Sequence, residues 1–160
     1  LAFILVPAGH AGANKELLHN LELPYQAVTS TDLYLTHYLN DSANDPVMNR
    51  IRAQKLRNSE EDKVKIFFVP SYLNGDDGVF NMPYYDLLVG MDLTAFPSYY
   101  EPWGYTPLES LAFKVPTITT TLAGFGLWVK EHYNMNHPGI EVIHREDGDA
   151  SNVATAIAEW

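Results

Sequence analysis

The chain has 160 residues, 46% of them apolar and 19% charged, enough to bury the core of one well-packed domain spanning residues 1–160. A net charge of -10 without a nucleic-acid-sized Lys/Arg patch argues against a nucleic-acid or anionic-membrane partner. The absence of cysteine removes disulfides, thiolate metal sites and cysteine nucleophiles together.

In chain order, the apolar run Leu1 to Val6 predicts a buried strand, and Leu33 to Tyr38 a second one. Asp45-Pro46 predicts a capped helix start with proline at its first position, with Val47, Met48 and Ile51 on one face. The nearby Arg50, Arg52, Lys55 and Arg57 are read as a solvated face. A polar turn at Asn58 to Asp62 precedes a strand at Val64 to Val69, and Asn74 to Gly78 is another turn. Asn81 to Gly90 reads as a helix, with Tyr84, Leu87 and Leu88 at i, i+3, i+4 and Tyr84 therefore a core residue. Then come a strand at Leu93 to Phe96, a helix at Thr106 to Phe113 and a strand at Thr117 to Thr121. A helix at Leu127 to Tyr133, a strand at Ile140 to His144 and a helix at Asn152 to Trp160 complete the pattern. The alternation predicts an α/β fold, a parallel sheet with helices on both faces. An opening on a strand and a close inside a helix lead us to expect a segment of a longer protein. No run approaches the roughly 20 apolar residues of a membrane span, and no signal peptide is visible.

Glu101-Pro-Trp-Gly-Tyr-Thr-Pro-Leu-Glu109 carries the chemistry. Pro102 biases Glu101 toward extended backbone, and Gly104 permits geometry closed to other residues. Thr106-Pro107 reads as a helix start, so the arrangement is strand, short loop, helix N-terminus, which suits an anionic ligand such as a phosphate. Glu101 falls where open α/β sheets bind ligands. Glu109 has two readings: a ligand contact, or the far member of a Thr106-x-x-Glu109 capping box.

The longer words around it, Phe96-Pro-Ser-Tyr-Tyr-Glu-Pro-Trp-Gly-Tyr-Thr-Pro107 and Gly124-Phe125-Gly126, closely resemble the glycogen synthases that use UDP-glucose, the animal and fungal type. Leu35-Thr-His-Tyr-Leu-Asn-Asp-Ser-Ala-Asn-Asp45 and Tyr72-Leu-Asn74 resemble the same family in the same order. The resemblance implies a Rossmann-like domain, the C-terminal, donor-binding half of a GT-B fold. The acceptor-binding domain and a basic pair that clamps the donor's phosphates would precede Leu1, and an arginine-rich regulatory helix would follow. It implies transfer of glucose from UDP-glucose to the 4-hydroxyl of a glucan end with retention, in a cytoplasmic enzyme that needs no cofactor or metal. A homo-oligomeric full-length protein is compatible with it, and the segment alone would transfer nothing.

By the same resemblance Glu101 would contact the transferred glucose, Glu109 the ribose hydroxyls, and the amides of Gly104, Tyr105 and Thr106, beside Trp103, the diphosphate. Tyr72 and Tyr84 match the rings that sandwich uracil, although the first is usually phenylalanine, and Asp92 stands where relatives carry histidine. A lysine, Lys114, occupies the usual place of a helix-terminating glycine. His132, His137 and His144 form no metal-binding spacing and are read as surface or packing residues, and Asp147-Gly-Asp149 is a turn with too few ligands for calcium. Two other readings stay open: a retaining glycosyltransferase using ADP-glucose or another nucleotide-sugar, and a nucleotide-sugar-binding or assembly module without catalysis.

Overall fold

The computed structural model describes residues 1–24, 33–133, 138–146 and 150–160. His137 and the Asp147 to Asp149 turn lie outside the described residues. The chain divides into two compact units, Leu1–Tyr84 and Tyr85–Trp160.

In the first unit β1 (Ala2–Leu5) pairs in parallel with β4 (Ile66–Val69), in the register Ala2 to Ile66 through Leu5 to Val69. On the other side of β4, the Tyr34 carbonyl accepts from the Phe68 N–H at 2.7 Å and the Thr36 N–H donates to the Phe68 carbonyl at 3.0 Å. The expected strand at Leu33 to Tyr38 thus serves two partners. Its first half borders β4, and its second half becomes β3 (His37–Leu39), antiparallel to β2 (His10–Ala13). Asn14 then caps α1 (Lys15–Leu21), its side chain accepting from the Glu16 and Leu17 N–H groups. Neither β2 nor α1 was expected from sequence. Asp45 caps α2 (Pro46–Ala53) as expected, its Oδ1 accepting from the Met48 N–H at 2.8 Å. Met48 and Ile51 join Tyr34, Leu35 and Phe68 in the core.

Two polar anchors sit inside this unit. Asn58, expected in a surface turn, is buried: its Nδ2 donates to the carbonyls of Leu33 and Ile66, and its Oδ1 accepts from the Ile66 N–H at 2.8 Å. His37 is fully buried, with Nδ1 2.8 Å from Thr36 Oγ1 and Nε2 donating to the Asp77 carbonyl at 2.8 Å. The Asp77 carboxylate in turn accepts from the N–H groups of Val79, Phe80 and Asn81.

The second unit is a three-stranded parallel sheet in the order β5 (Thr94–Ala95), β6 (Thr117–Thr120), β7 (Ile140–Ile143). Crossovers run through α4 (Tyr105–Ala112) and α5 (Gly124–His132), and α6 (Ala150–Glu159) follows β7. Side chains alternate between the faces of a strand. Ile140 and Val142 pack with Phe125 and Val129 of α5 and Leu108 and Leu111 of α4. Ile143 and Ile118 pack with Val153, Ala156 and Ile157 of α6. Helices therefore cover both faces, and the α/β class with parallel strands is as expected. The β2–β3 pair of the first unit is the antiparallel exception.

All four β6 residues are buried although three are threonines. The hydroxyls of Thr94, Ser110 and Thr117 satisfy one another: Thr94 to Ser110 is 2.6 Å, Thr117 to Ser110 3.0 Å and Thr94 to Thr117 3.2 Å.

Helix limits differ from expectation for local reasons. α3 spans only Tyr84–Leu88, because Asn81 adopts φ 52 and its side chain accepts from the Gly78 N–H instead of entering the helix. α5 begins three residues early, at Gly124, and α6 runs from Ala150 to Glu159. Lys114 ends α4 with φ 65, taking the left-handed conformation itself in place of the usual glycine.

Candidate functional site

β5 ends at Ala95, and Phe96 prolongs it by donating its N–H to the Ile118 carbonyl at 2.8 Å. The chain leaves the C-terminal edge of the sheet and returns as α4. Between them Glu101 pairs with the turn before α5: its N–H donates to the Leu122 carbonyl at 3.1 Å, and its carbonyl accepts from the Gly124 N–H at 3.0 Å. The Trp103 carbonyl accepts from the Phe125 N–H at 2.6 Å. The first amides of α5 are thus occupied by the loop.

The amides at the start of α4 are not. Gly104 is the N-cap, at φ 89 and ψ 74, and no side chain caps the helix. Among the described residues nothing accepts from the N–H groups of Gly104, Tyr105 or Thr106. A left-handed glycine followed by uncapped amides forms a small concavity of donors at the positive end of a helix dipole. A side chain at Gly104 would be strained: φ lies in the left-handed region, and a Cβ would lie 3.2 Å from Glu101 Cγ.

The capping-box reading of Glu109 does not hold. α4 starts at Tyr105, so Pro107 is its third residue and not its first, Thr106 lies inside the helix, and Glu109 lies two residues past the position from which a side chain reaches back. The Glu109 carboxylate accepts a hydrogen bond from the Tyr85 hydroxyl, and this bond, with some burial and the carboxylate's charge, raises the Tyr85 phenol above its ordinary value. The Tyr85 ring stacks on Phe113 at 5.1 Å and 18°. Sequence reading missed Tyr85 because its neighbour Tyr84 took the aromatic role; the doubled tyrosine was the available signal.

Glu101, Tyr105 and Thr106 are exposed and Gly104 is buried, so one short stretch of backbone brings carboxylate and amides together. Trp103 is half-buried, its ring edge-on to Phe125 at 6.0 Å and tilted to Trp128 at 6.4 Å, which anchors the loop on α5. One glycine permits that seam, and a second lets α5 lie against the end of β6. A Cβ on Gly124 would meet the Pro102 carbonyl oxygen at 2.2 Å, and one on Gly126 the Thr120 carbonyl oxygen at 2.3 Å.

Tyr72 and Tyr84 belong to the first unit, and the structure relates them to each other. The Tyr84 N–H donates to the Leu73 carbonyl at 2.9 Å and Asn74 bridges Pro83 in antiparallel fashion, which sets residues 72 and 84 on neighbouring backbone. Tyr72 is 76% exposed, whereas Tyr84 is half-buried. Asp92 is exposed. His132 donates through Nδ1 to the Trp128 carbonyl at 2.8 Å and stacks on that tryptophan, and His144 lies 3.4 Å from Glu146 at the surface. Among the described residues no three His, Asp or Glu side chains gather as a metal site would require, and no helix is long and apolar enough to cross a membrane.

An uncapped helix start beside a loop carboxylate, at the C-terminal edge of a parallel sheet with helices on both faces, is the arrangement of an α/β domain of the Rossmann-like class. The family model described as glycogen synthase matches residues 18–160. The chain is 44% identical over 129 residues to glycogen [starch] synthase isoform 1 of Saccharomyces cerevisiae, covering 79% of this chain and 18% of that protein. It is 39% identical over 118 residues to glycogen [starch] synthase of Caenorhabditis elegans, covering 73% of this chain and 18% of that protein. With the liver glycogen [starch] synthase of Mus musculus the identity is 42% over 97 residues, 61% of this chain and 14% of that protein. The chain belongs to the glycogen synthase family. It spans less than a fifth of the length of these relatives.

Proposed function

We propose that this chain is the donor-binding part of a longer retaining glucosyltransferase, one that moves glucose from UDP-glucose to the 4-hydroxyl of a growing α-1,4-glucan. The observation that carries the reading is the set of unoccupied amides at Gly104, Tyr105 and Thr106 next to Glu101. A diphosphate there receives N–H donors and the helix dipole, and these gain strength as the glycosidic bond breaks and charge grows on the leaving group. Glu101, an exposed acceptor on the same loop, binds hydroxyls of the glucose. Glu109 binds the ribose, its carboxylate oriented by Tyr85, while Tyr72 and Tyr84 hold the base and Trp103 anchors the loop. No metal is needed, because amides and basic groups elsewhere in the longer protein neutralise the diphosphate.

Double displacement would need a second carboxylate about 5–5.5 Å from the first across the sugar. With Glu109 assigned to ribose, we read retention as a same-face exchange: the bond from the anomeric carbon to phosphate oxygen breaks and that to the acceptor oxygen forms. The acceptor's proton passes to the departing phosphate. The glucan is bound by another part of the protein, which is cytoplasmic. Two measurements test the reading. Calorimetric titration should rank UDP above ADP and GDP, and a preference for ADP overturns the choice of donor. In the full-length protein Glu101→Ala should lower kcat by roughly 100-fold, the scale of one lost transition-state contact. Unchanged transfer would remove Glu101 from the chemistry.

A further inference from the structure

Arg145 follows β7 at the sheet edge where β5 and β6 also end, and it is only 4% exposed. Its Nη1 donates to the carbonyl of Pro97 at 2.6 Å and reaches that of Ser98 at 3.4 Å, and its guanidinium carbon sits 3.6 Å from the centroid of the Tyr99 ring. Three successive residues of the loop that carries Glu101 thus close around one cation. The Arg145 main chain is fixed as well, its N–H donating to Thr121 Oγ1 at 3.0 Å. Its Nε is buried without a hydrogen-bond partner, and among the described residues no carboxylate pairs with it. Burying a cation this way is costly, and an apolar side chain of similar volume often serves stability as well or better. The residue therefore calls for an explanation other than packing.

We propose that Arg145 is a positioning residue that fixes the take-off of the β5–α4 loop and so sets where Glu101 points; the catalytic consequence rests on the function proposed above. The loop is held at two places. At its start, the Ser98 carbonyl accepts from Thr120 Oγ1 at 3.0 Å and Arg145 grips Pro97, Ser98 and Tyr99. At its end, Glu101 is paired to Leu122 and Gly124. Only Tyr100, 80% exposed, lies free between these grips. Without Arg145 the first grip reduces to one threonine hydroxyl, and Glu101 gains freedom that the amides of Tyr105 and Thr106, behind the Trp103–Phe125 tie, do not. Sugar placement should loosen while diphosphate binding persists.

The test uses Arg145→Met, which keeps bulk and removes charge, and Arg145→Lys, which keeps charge but lacks the planar fork, in the full-length protein carrying this chain. Hydrogen exchange at the Glu101 amide should accelerate at least tenfold in Arg145→Met, with core amides of β6 unchanged. For glucose transfer, kcat should fall roughly 10- to 100-fold, as small misplacements of a reacting group do, with KM for UDP-glucose moving by less than about threefold and Arg145→Lys in between. Glu101 exchange as slow as in the wild type, or kcat per folded molecule equal to wild type in both variants, overturns the proposal. Exchange also decides the matter if the wild type transfers no glucose, a result that would defeat only the proposed function. Should Arg145→Met fail to fold, Arg145→Lys carries both readouts.

Discussion

The hydroxyl of Tyr85 meets the carboxylate of Glu109 from outside the EPWGYTPLE word. Tyr85→Phe keeps the stack on Phe113 and removes only the hydroxyl. We expect it to weaken UDP binding by roughly 3- to 10-fold, the scale of one ordinary hydrogen bond, and to leave binding of 2′-deoxy-UDP nearly unchanged. Calorimetry with both nucleotides checks this, and an equal loss for the two would mean that Glu109 does not read the ribose. Glu101 was legible in the sequence because the strand, loop and proline around it fixed its place. Glu109 was not, since a capping box and a ligand contact call for the same residue types at the same spacing. What separated them was the helix starting one residue before Thr106, a consequence of the left-handed backbone at Gly104 that no spacing rule contains.

At the scale of elements, α5 and the β5–α4 loop form one seam whose fit depends on missing side chains. Gly124→Ala places a methyl 2.2 Å from the Pro102 carbonyl oxygen, a separation only a backbone shift can relieve. We expect a loss of about 1–3 kcal/mol, the usual cost of overpacking, together with weaker UDP binding, since the displaced loop carries the amides of α4. Thermal denaturation and titration on the same variant check this; a stable variant binding UDP normally would show that the seam is looser than described. The strands β1, β4, β5, β6 and β7 and the helix α2 were readable from apolar runs and a cap. The start of α5 was not, because glycines at 124 and 126 lower helix propensity and their reason lies across the seam and at the end of β6. β2 and α1 escaped because His10–Ala13 is no apolar run and the apolar face of α1 is narrow: one leucine, Leu17, is buried.

Across the whole molecule, acid should act on the first unit in two stages. Burial, and then the charge of His37 with its ring 4.8 Å away, hold His10 below its ordinary 6.5. The unfolded chain therefore takes up this proton first, so the contribution is complete above pH 6.5 and is lost as the pH falls through the depressed value. For Asp77 burial works upward, but the N–H groups of Phe80, Val79 and Asn81 outweigh it and leave the carboxyl below 3.8. Its contribution is present above pH 3.8 and is lost only at lower pH. The melting temperature should decline as the pH falls below 6.5, and His10→Asn should flatten that decline while leaving the acid transition in place. A slope indifferent to His10→Asn would count against it. None of this was visible in sequence, because His10, His37 and Asp77 meet only through long-range pairing.

The threonine-rich β6 has a consequence for how the sheet chooses its alignment. A strand buried on both faces gains little from hydrophobicity in choosing one register over another, since either face accepts isoleucine or threonine. The hydroxyls of Thr94, Ser110 and Thr117 do discriminate against a slip by one residue, which would set Ile118 against Thr94 and break the cluster. At about 3.3 Å per residue, such a slip would displace the loop carrying Glu101 by that distance relative to β6. Three small side chains thus act as a key that aligns the strands, and the reach of the candidate site is set by that alignment before any ligand arrives.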